Sequence, residues 1–331
     1  MAAGAARGGS LSSVPPCLRS AIFAFLLLHT GAISFAAPPI TAVAFAPDGG
    51  SVVAGSQGGV EIFSWPELSS LRKLVSELVH VGDAAFSPDG RTLAVAGGAP
   101  AERGEVELFR WPSGELLERI SPHEDLVQRV AWRPDGAAFA TASADRQVLV
   151  HPFANERAGE ATTLSGHSRG VLAACWLPRG EVLVTAGIDQ TLRVWDVESG
   201  LPRRSLDNHT GAVVDLALCP RGEGPPLVAS AGADRTLRFW QPEIGRMVRF
   251  VRLPADPQAI CWTVDGTHVA VACADGRVLL VEAATAKIVR EIAALDGWAY
   301  AIAASPDGSG LLVGGEGGRL VRCQLREDAE E

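Results

Sequence analysis

Nine side chains in this sequence have the chemistry of a hydrolase. His123, Thr141 and Asp145 form one set, His167, Thr185 and Asp189 a second, and His209, Ser230 and Asp234 a third. A hydroxyl nucleophile, an imidazole base and an orienting carboxylate are the parts of a catalytic triad. Recurrence argues against that use. The three histidines lie 44 and 42 positions apart, and catalysis needs one exposed site rather than copies at a fixed period. No G-x-S-x-G elbow presents a nucleophile. Histidines at that distance are not metal ligands at helix or turn spacing. The aspartates fit turn formers better than an acid–base pair. No glycine-rich loop opens a helix to cradle phosphate.

The elements that position these residues are read from seven turns. Pro88-Asp89-Gly90 recurs as Pro47-Asp48-Gly49, Pro134-Asp135-Gly136 and Pro306-Asp307-Gly308. It survives as Pro178-Arg179-Gly180, Pro220-Arg221-Gly222 and Val264-Asp265-Gly266, with first residues 41, 46, 44, 42, 44 and 42 positions apart. Proline pre-sets the first central residue of such a turn, Asp tolerates the second and Gly suits the exit. A period of about 40–45 residues holding several short strands is the signature of a propeller. The expected fold is therefore all-β: a seven-bladed β-propeller of four-stranded antiparallel blades.

Each repeat reads as an apolar strand running into the turn, a second strand, a tight Asp or Gly turn, a third strand, and a fourth after another turn. Two positions before each turn's first residue stand Phe45, Phe86, Trp132, Trp176, Leu218, Trp262 and Ala304. That column reads as packing between neighbouring blades, since a lone blade cannot bury both faces of its sheet. Gly98 to Gly104 replaces a tight turn in the second repeat and is expected to protrude as a polar loop.

Residues 1–36 read as a secretory signal peptide. Arg7 and Arg19 precede the apolar run 21–28, and cleavage is placed after Ala36. A second reading stays open: Leu28 to Ser34 falls in phase with the fourth strands and would close the last blade. Residues 37–325 form the propeller and 326–331 an acidic tail.

A net charge of −9 excludes a generic nucleic-acid binder. Five cysteines lie beyond the leader without CxxC spacing, so neither a disulfide framework nor a zinc site is expected.

In the fourth repeat, Gly166-His167 precedes Thr185, Asp189 and Trp195-Asp196. In the fifth, His209 precedes Ser230, Asp234 and Trp240. With seven repeats in phase, the chain resembles the WD40-repeat family over about residues 38–325, and within it bacterial, exported members. The resemblance implies structural tetrads, Trp195–Thr185–His167–Asp189 and Trp240–Ser230–His209–Asp234. The third repeat departs from them, because His151 replaces the tryptophan beside His123, Thr141 and Asp145.

The resemblance also implies binding at the face around the channel mouth. Eight residues before each turn lie Pro39, His80, Leu126, Gly170, Ala212, Asp256 and Trp298. His80, Asp125, Arg169, Asp256 and Trp298, with the Glu102–Arg103 tip, are the candidate partner contacts. The expected function is a non-enzymatic protein-interaction scaffold in an envelope assembly, periplasmic or secreted. It is cytoplasmic if the leader is instead a closing strand. The expectation includes no catalytic residue, no metal, no cofactor, no nucleic acid, no membrane span after leader cleavage, and a monomer with protein partners. The alternative is a small-ligand-binding or hydrolytic propeller using the channel mouth.

Overall fold

Seven antiparallel sheets follow one another along the chain in the computed structural model, which describes residues 37–221 and 224–325. Blade one is β1–β4 (Ile40–Phe45, Ser51–Ser56, Gly59–Ser64, Ser70–Leu74) and blade two β5–β8 (His80–Phe86, Thr92–Ala99, Arg103–Arg110, Glu115–His123). Blade three is β9–β13 (Val127–Trp132, Ala138–Ser143, Val148–Ala154, Arg157–Ala158, Thr162–Leu164). Blade four is β14–β17 (Val171–Trp176, Val182–Gly187, Leu192–Asp196, Leu201–Leu206) and blade five β18–β21 (Val213–Leu218, Val228–Gly232, Thr236–Gln241, Arg246–Arg252). Blade six is β22–β25 (Pro257–Trp262, His268–Cys273, Arg277–Glu282, Lys287–Ala293). Blade seven has β26–β28 (Ala299–Ala304, Gly310–Gly315, Leu320–Gln324), three strands among the described residues. The candidate closing segment Leu28 to Ser34, the leader and the acidic tail lie outside the described residues.

The first strands of successive blades pack side by side, and β26 packs against β1, which closes a seven-bladed propeller. Within a blade the strands run in order from the axis outward. Composition follows that order. The second strand is buried along its whole length in blades one to five and seven, whereas outer strands such as β4 and β17 are exposed except at one end.

The turns are built as their residues require. Gly90 N–H closes onto Ser87 O at 2.8 Å, with Gly90 at φ 71°. A side chain there would be strained. The turn aspartate does more than tolerate its position: Asp89 Oδ1 accepts the Arg91 N–H at 3.1 Å, and Asp135 and Asp307 bond the same way two residues on. Tryptophans in the packing column tie blades together. Trp132, Trp176 and Trp262 each donate Nε1–H to a carbonyl of the preceding blade, Ala85, Ala131 and Ala217, at 2.9–3.1 Å.

Every first strand carries a register shift near its start, at Ile40/Ala42, Val81/Asp83 and the corresponding points of the other blades. A bulge bends the strand and re-aims the side chains beside it. The second repeat corrects one expectation. Gly98 to Gly104 is not a polar loop but largely strand, since β6 and β7 stay paired out to Ala99↔Arg103. Only residues 100–102 form the tip. Glycine permits this extension, because at Gly98 a Cβ would stand 2.2 Å from Arg103 O.

Candidate functional site

In blade four, His167 lies just before β14, Thr185 on β15, Asp189 in the next turn and Trp195 on β16. Trp195 Nε1 donates to Thr185 Oγ1 at 2.7 Å. The Thr185 hydroxyl lies 2.8 Å from His167 Nε2, and His167 Nδ1 lies 2.9 Å from Asp189 Oδ2. Indole can only donate and carboxylate can only accept, so the chain has one direction, Trp to Thr to His to Asp. Burial opposes ionisation of Asp189, but His167 and the Ser168 and Thr191 donors outweigh it and hold the carboxyl at about 2. Blade five repeats the arrangement with Trp240, Ser230, His209 and Asp234 at 2.8, 2.7 and 2.9 Å. All three histidine side chains are 0% exposed. In blades four and five the hydroxyl is saturated by indole and imidazole, so it has neither a free base nor a path to a substrate.

Blade three keeps His123 at 2.8 Å from Asp145 and 2.7 Å from Thr141. His151 occupies the tryptophan's position, 3.4 Å from Thr141 and stacked on Phe139 at 4.8 Å. Burial, with a contribution from His123, drives its imidazole down to about 4. A cleft of about 330 Å³, lined by His151 together with Ile120, Pro122 and Ala158, lies beside the smaller ring.

Blade two solves the same burial problem with charge. Glu107 on β7 is 0% exposed, and its Oε1 accepts from Arg119 Nε at 2.9 Å and from Glu77 N–H at 3.0 Å. Arg119 also reaches Glu77 Oε2 at 2.6 Å. This set was missed in the sequence. Its only signal is a glutamate inside the apolar run Val106 to Phe109.

A second missed set crosses the channel. Asp83, Arg129 and Asp215 occupy the same position on β5, β9 and β18. Asp83 accepts from Val130 N–H at 3.0 Å and Asp215 from Ile260 N–H at 2.8 Å, each bridging to the next blade. Arg129 lies 3.6 Å from Asp83 and donates to Asp215. Cys175 and Cys261 line the same inner strands half-buried, and burial pushes both thiols up to about 12. Among the described residues no group of three His, Cys, Asp or Glu is placed to hold a metal.

The predicted partner contacts are distributed over blades two, three, four, six and seven. Asp125 Oδ1 accepts Ala101 N–H at 2.7 Å, which ties blade three to the Glu102–Arg103 tip. Arg103 pairs with Glu105 at 3.1 Å. His80 meets Gln57 of blade one at 3.1 Å, and Asp256 pairs with Arg235 of blade five at 2.7 Å. Trp298 is half-buried against Tyr300, with ring centroids 5.7 Å apart, and its backbone N–H reaches Glu316. Arg169 stands exposed on blade four, three blades from Trp298. The tip and His80 share blade two, while Arg169 and Trp298 belong to blades four and seven.

The family profile described as "WD domain, G-beta repeat" matches residues 114–151, 159–196 and 200–241. The profile "Anaphase-promoting complex subunit 4 WD40 domain" matches residues 253–304. The chain belongs to the WD40-repeat family. The three WD-repeat matches cover blades three, four and five, the blades that keep the buried His–Ser/Thr–Asp sets. The first three strands of blade two, which lack such a set, go unmatched by that profile.

Among WD40 relatives, THO complex subunit 3 of Arabidopsis thaliana is 31% identical over 121 residues, which is 35% of this chain and 38% of the relative. WD repeat-containing protein slp1 of Schizosaccharomyces pombe is 38% identical over 58 residues, 18% of this chain and 12% of the relative. Anaphase-promoting complex subunit cdc20 of Dictyostelium discoideum is 39% identical over 62 residues, again 18% and 12%. The matches thus span well under half the length of these WD40 relatives.

Proposed function

We propose that this WD40 propeller is a non-enzymatic protein-interaction platform that is exported and acts in an envelope assembly. One observation carries the non-enzymatic reading: every Ser/Thr-His-Asp set is buried with its histidine 0% exposed. Polar groups used up inside the fold hold blades together and do not meet substrate. What varies between repeats is the rim, and varied exposed loops on a rigid scaffold are where binding residues concentrate. Two relatives are by name subunits of complexes, THO complex subunit 3 and Anaphase-promoting complex subunit cdc20. The channel offers less to a small ligand, because Arg129 is committed to two carboxylates inside it.

The platform is tested by capturing a C-terminally tagged copy from its native cells and identifying what is retained by mass spectrometry. A stoichiometric protein partner is expected. A solitary protein that instead turns over ester or peptide substrates overturns the reading.

Export rests on Arg7, Arg19, the apolar run 21–28 and the small residues around Ala36. Among the described residues no helix is long and apolar enough to cross a membrane. The intact mass of the natural protein decides export: loss of residues 1–36 is expected, and a retained N-terminus assigns the segment to closing blade seven.

A further inference from the structure

Four blades are latched to the next by a repeated arginine, and the seam between blades three and four carries no side-chain latch of this kind among the described residues. On the fourth strand, the residue paired with the third-strand residue one before the position of Trp195 (Ile62, Val194, Phe239 and Leu280) is Arg72 in blade one, Arg204 in blade four, Arg249 in blade five and Arg290 in blade six. Each guanidinium donates to carbonyls in the turn after the third strand, or at the end of that strand, in the following blade. Arg72 reaches Ser113 O at 2.8 Å, Arg204 reaches Glu243 O at 3.1 Å, Arg249 reaches Ala283 O at 2.6 Å and Arg290 reaches Leu325 O at 3.1 Å. In blade two the position is Glu118, whose carboxylate accepts Ala158 N–H of blade three at 2.7 Å.

In blade three the position is Thr162, paired with Val150. Its fourth, outermost strand is broken into β12 and β13. Strand β11 runs on to Ala154 and turns back through Asn155 and Glu156, both at positive φ, into the two residues of β12. Gly159 N–H then bonds Pro152 O at 2.7 Å before the chain rejoins the blade at Thr162. Among the described residues, no arginine from the fourth strand of blade three donates to a blade-four carbonyl. A cleft of about 680 Å³ lies there, lined by Thr162, Val150 and the blade-four turn residues Asp196, Val197 and Glu198. Among the described residues, no side chain donates to the Val197 or Glu198 carbonyl, the acceptors that correspond to those used in the latched blades.

Charge at the cleft matches the missing group. Its two arginines are already engaged, Arg133 with Asp135 at 2.7 and 2.8 Å and Arg203 with Asp196 at 3.0 Å. Glu181 and Glu198 line it, exposed and without an ion pair among the described residues. A planar guanidinium suits paired carbonyl and carboxylate acceptors; a lysine ammonium lacks the fork.

We infer that the cleft between blades three and four receives an arginine side chain from a protein partner, in the place where blades one, four, five and six use an arginine of their own. This deepens the platform reading by naming the chemistry of one contact, and it rests on that reading only for the source of the arginine.

The test titrates the purified, methyl-labelled protein with an end-blocked Gly-Arg-Gly tripeptide and watches the Val150 and Val197 methyl resonances. Saturable shifts are expected, with little response to Gly-Lys-Gly. The variant Thr162→Arg supplies the missing latch and should abolish the shifts. The double variant Glu181→Gln, Glu198→Gln should weaken binding several-fold while leaving the cleft's shape intact. Equal shifts with the lysine peptide, no shifts at all, or undiminished shifts in Thr162→Arg overturn the inference. Tripeptide binding in a protein that captures no partner would leave the cleft assigned and remove the platform, so the two failures are separable.

Discussion

Arg129 of blade three donates to Asp215 of blade five, reaching past blade four inside the channel. The same side chain lies 3.6 Å from Asp83 of blade two. Both carboxylates are nearly buried and each also accepts a backbone N–H from the next blade. The arginine therefore links three inner strands through two inter-blade bridges. Burial raises the Asp83 carboxyl, and Arg129 works against that rise.

Replacing Arg129 by Met leaves two buried carboxylates without a cation. Breaking a buried ion pair from one side destabilises by about 3–5 kcal/mol. Urea unfolding of Arg129→Met should show a loss of that order. The triple variant with Asp83→Asn and Asp215→Asn, whose amide oxygens still accept the Val130 and Ile260 N–H, should recover most of it. A single variant as stable as the parent would mean that the channel carboxylates need no partner.

Thr185→Val probes the blade-four tetrad. The change leaves Trp195 Nε1 and His167 Nε2 without the hydroxyl that each reaches within 2.8 Å. A buried polar group left unpaired costs about 1–3 kcal/mol. The same substitution at Thr141 should cost less, because the His151 contact it removes is already 3.4 Å long. Equal losses in the two blades would contradict the weaker third bond.

His151 gives blade three a pH dependence that a tryptophan would not. Its folded-state pKa lies near 4, below the ordinary histidine value of 6.5. As pH falls, the unfolded chain takes up a proton first. Stability from this group is intact above pH 6.5 and is lost as pH drops toward 4. At about 1.4 kcal/mol per unit the loss reaches about 3 kcal/mol. His151→Trp should remove this slope and offer an indole N–H to Thr141, using the space beside the ring. The check is the difference between the two stability–pH curves, flat above 6.5 and tilting below it; parallel curves would refute the assignment.

The repeat was legible because its signals are local. A Pro-Asp-Gly turn, an apolar strand and a tryptophan act on their immediate neighbours, so each copy announces itself. The polar sets were legible by composition, since histidine, hydroxyl and aspartate recur in phase with the turns. Arg129 was not. A charged residue on a short strand reads as solvent-facing, and only closure of the ring turns that face into a channel with Asp83 and Asp215 opposite. The arginine latches escaped for a related reason: outer-strand arginines look like edge charges until the register aligns them. The Gly98 to Gly104 segment misled because glycine is a loop signal by default, whereas here it lets two backbones approach and stay paired.

Trp298 tests the rim. It is half-buried against Tyr300, and its backbone N–H donates to Glu316. Tryptophan is the kind of anchor that carries interface energy, about 2 kcal/mol or more when truncated. With a captured partner in hand, Trp298→Ala should weaken binding by roughly 30-fold, which is that energy expressed as an equilibrium constant. The thermal midpoint should move little, because the ring already meets solvent and the buried sets lie on other blades. Reversal of Arg169 to Glu, on the far side of the ring, separates two arrangements. If binding falls in both variants, the partner spans the mouth. If it falls only with Trp298, the contact is confined to blade seven and its neighbours. If it falls in neither, the partner binds off the rim and the blade three–four cleft becomes the surface to map.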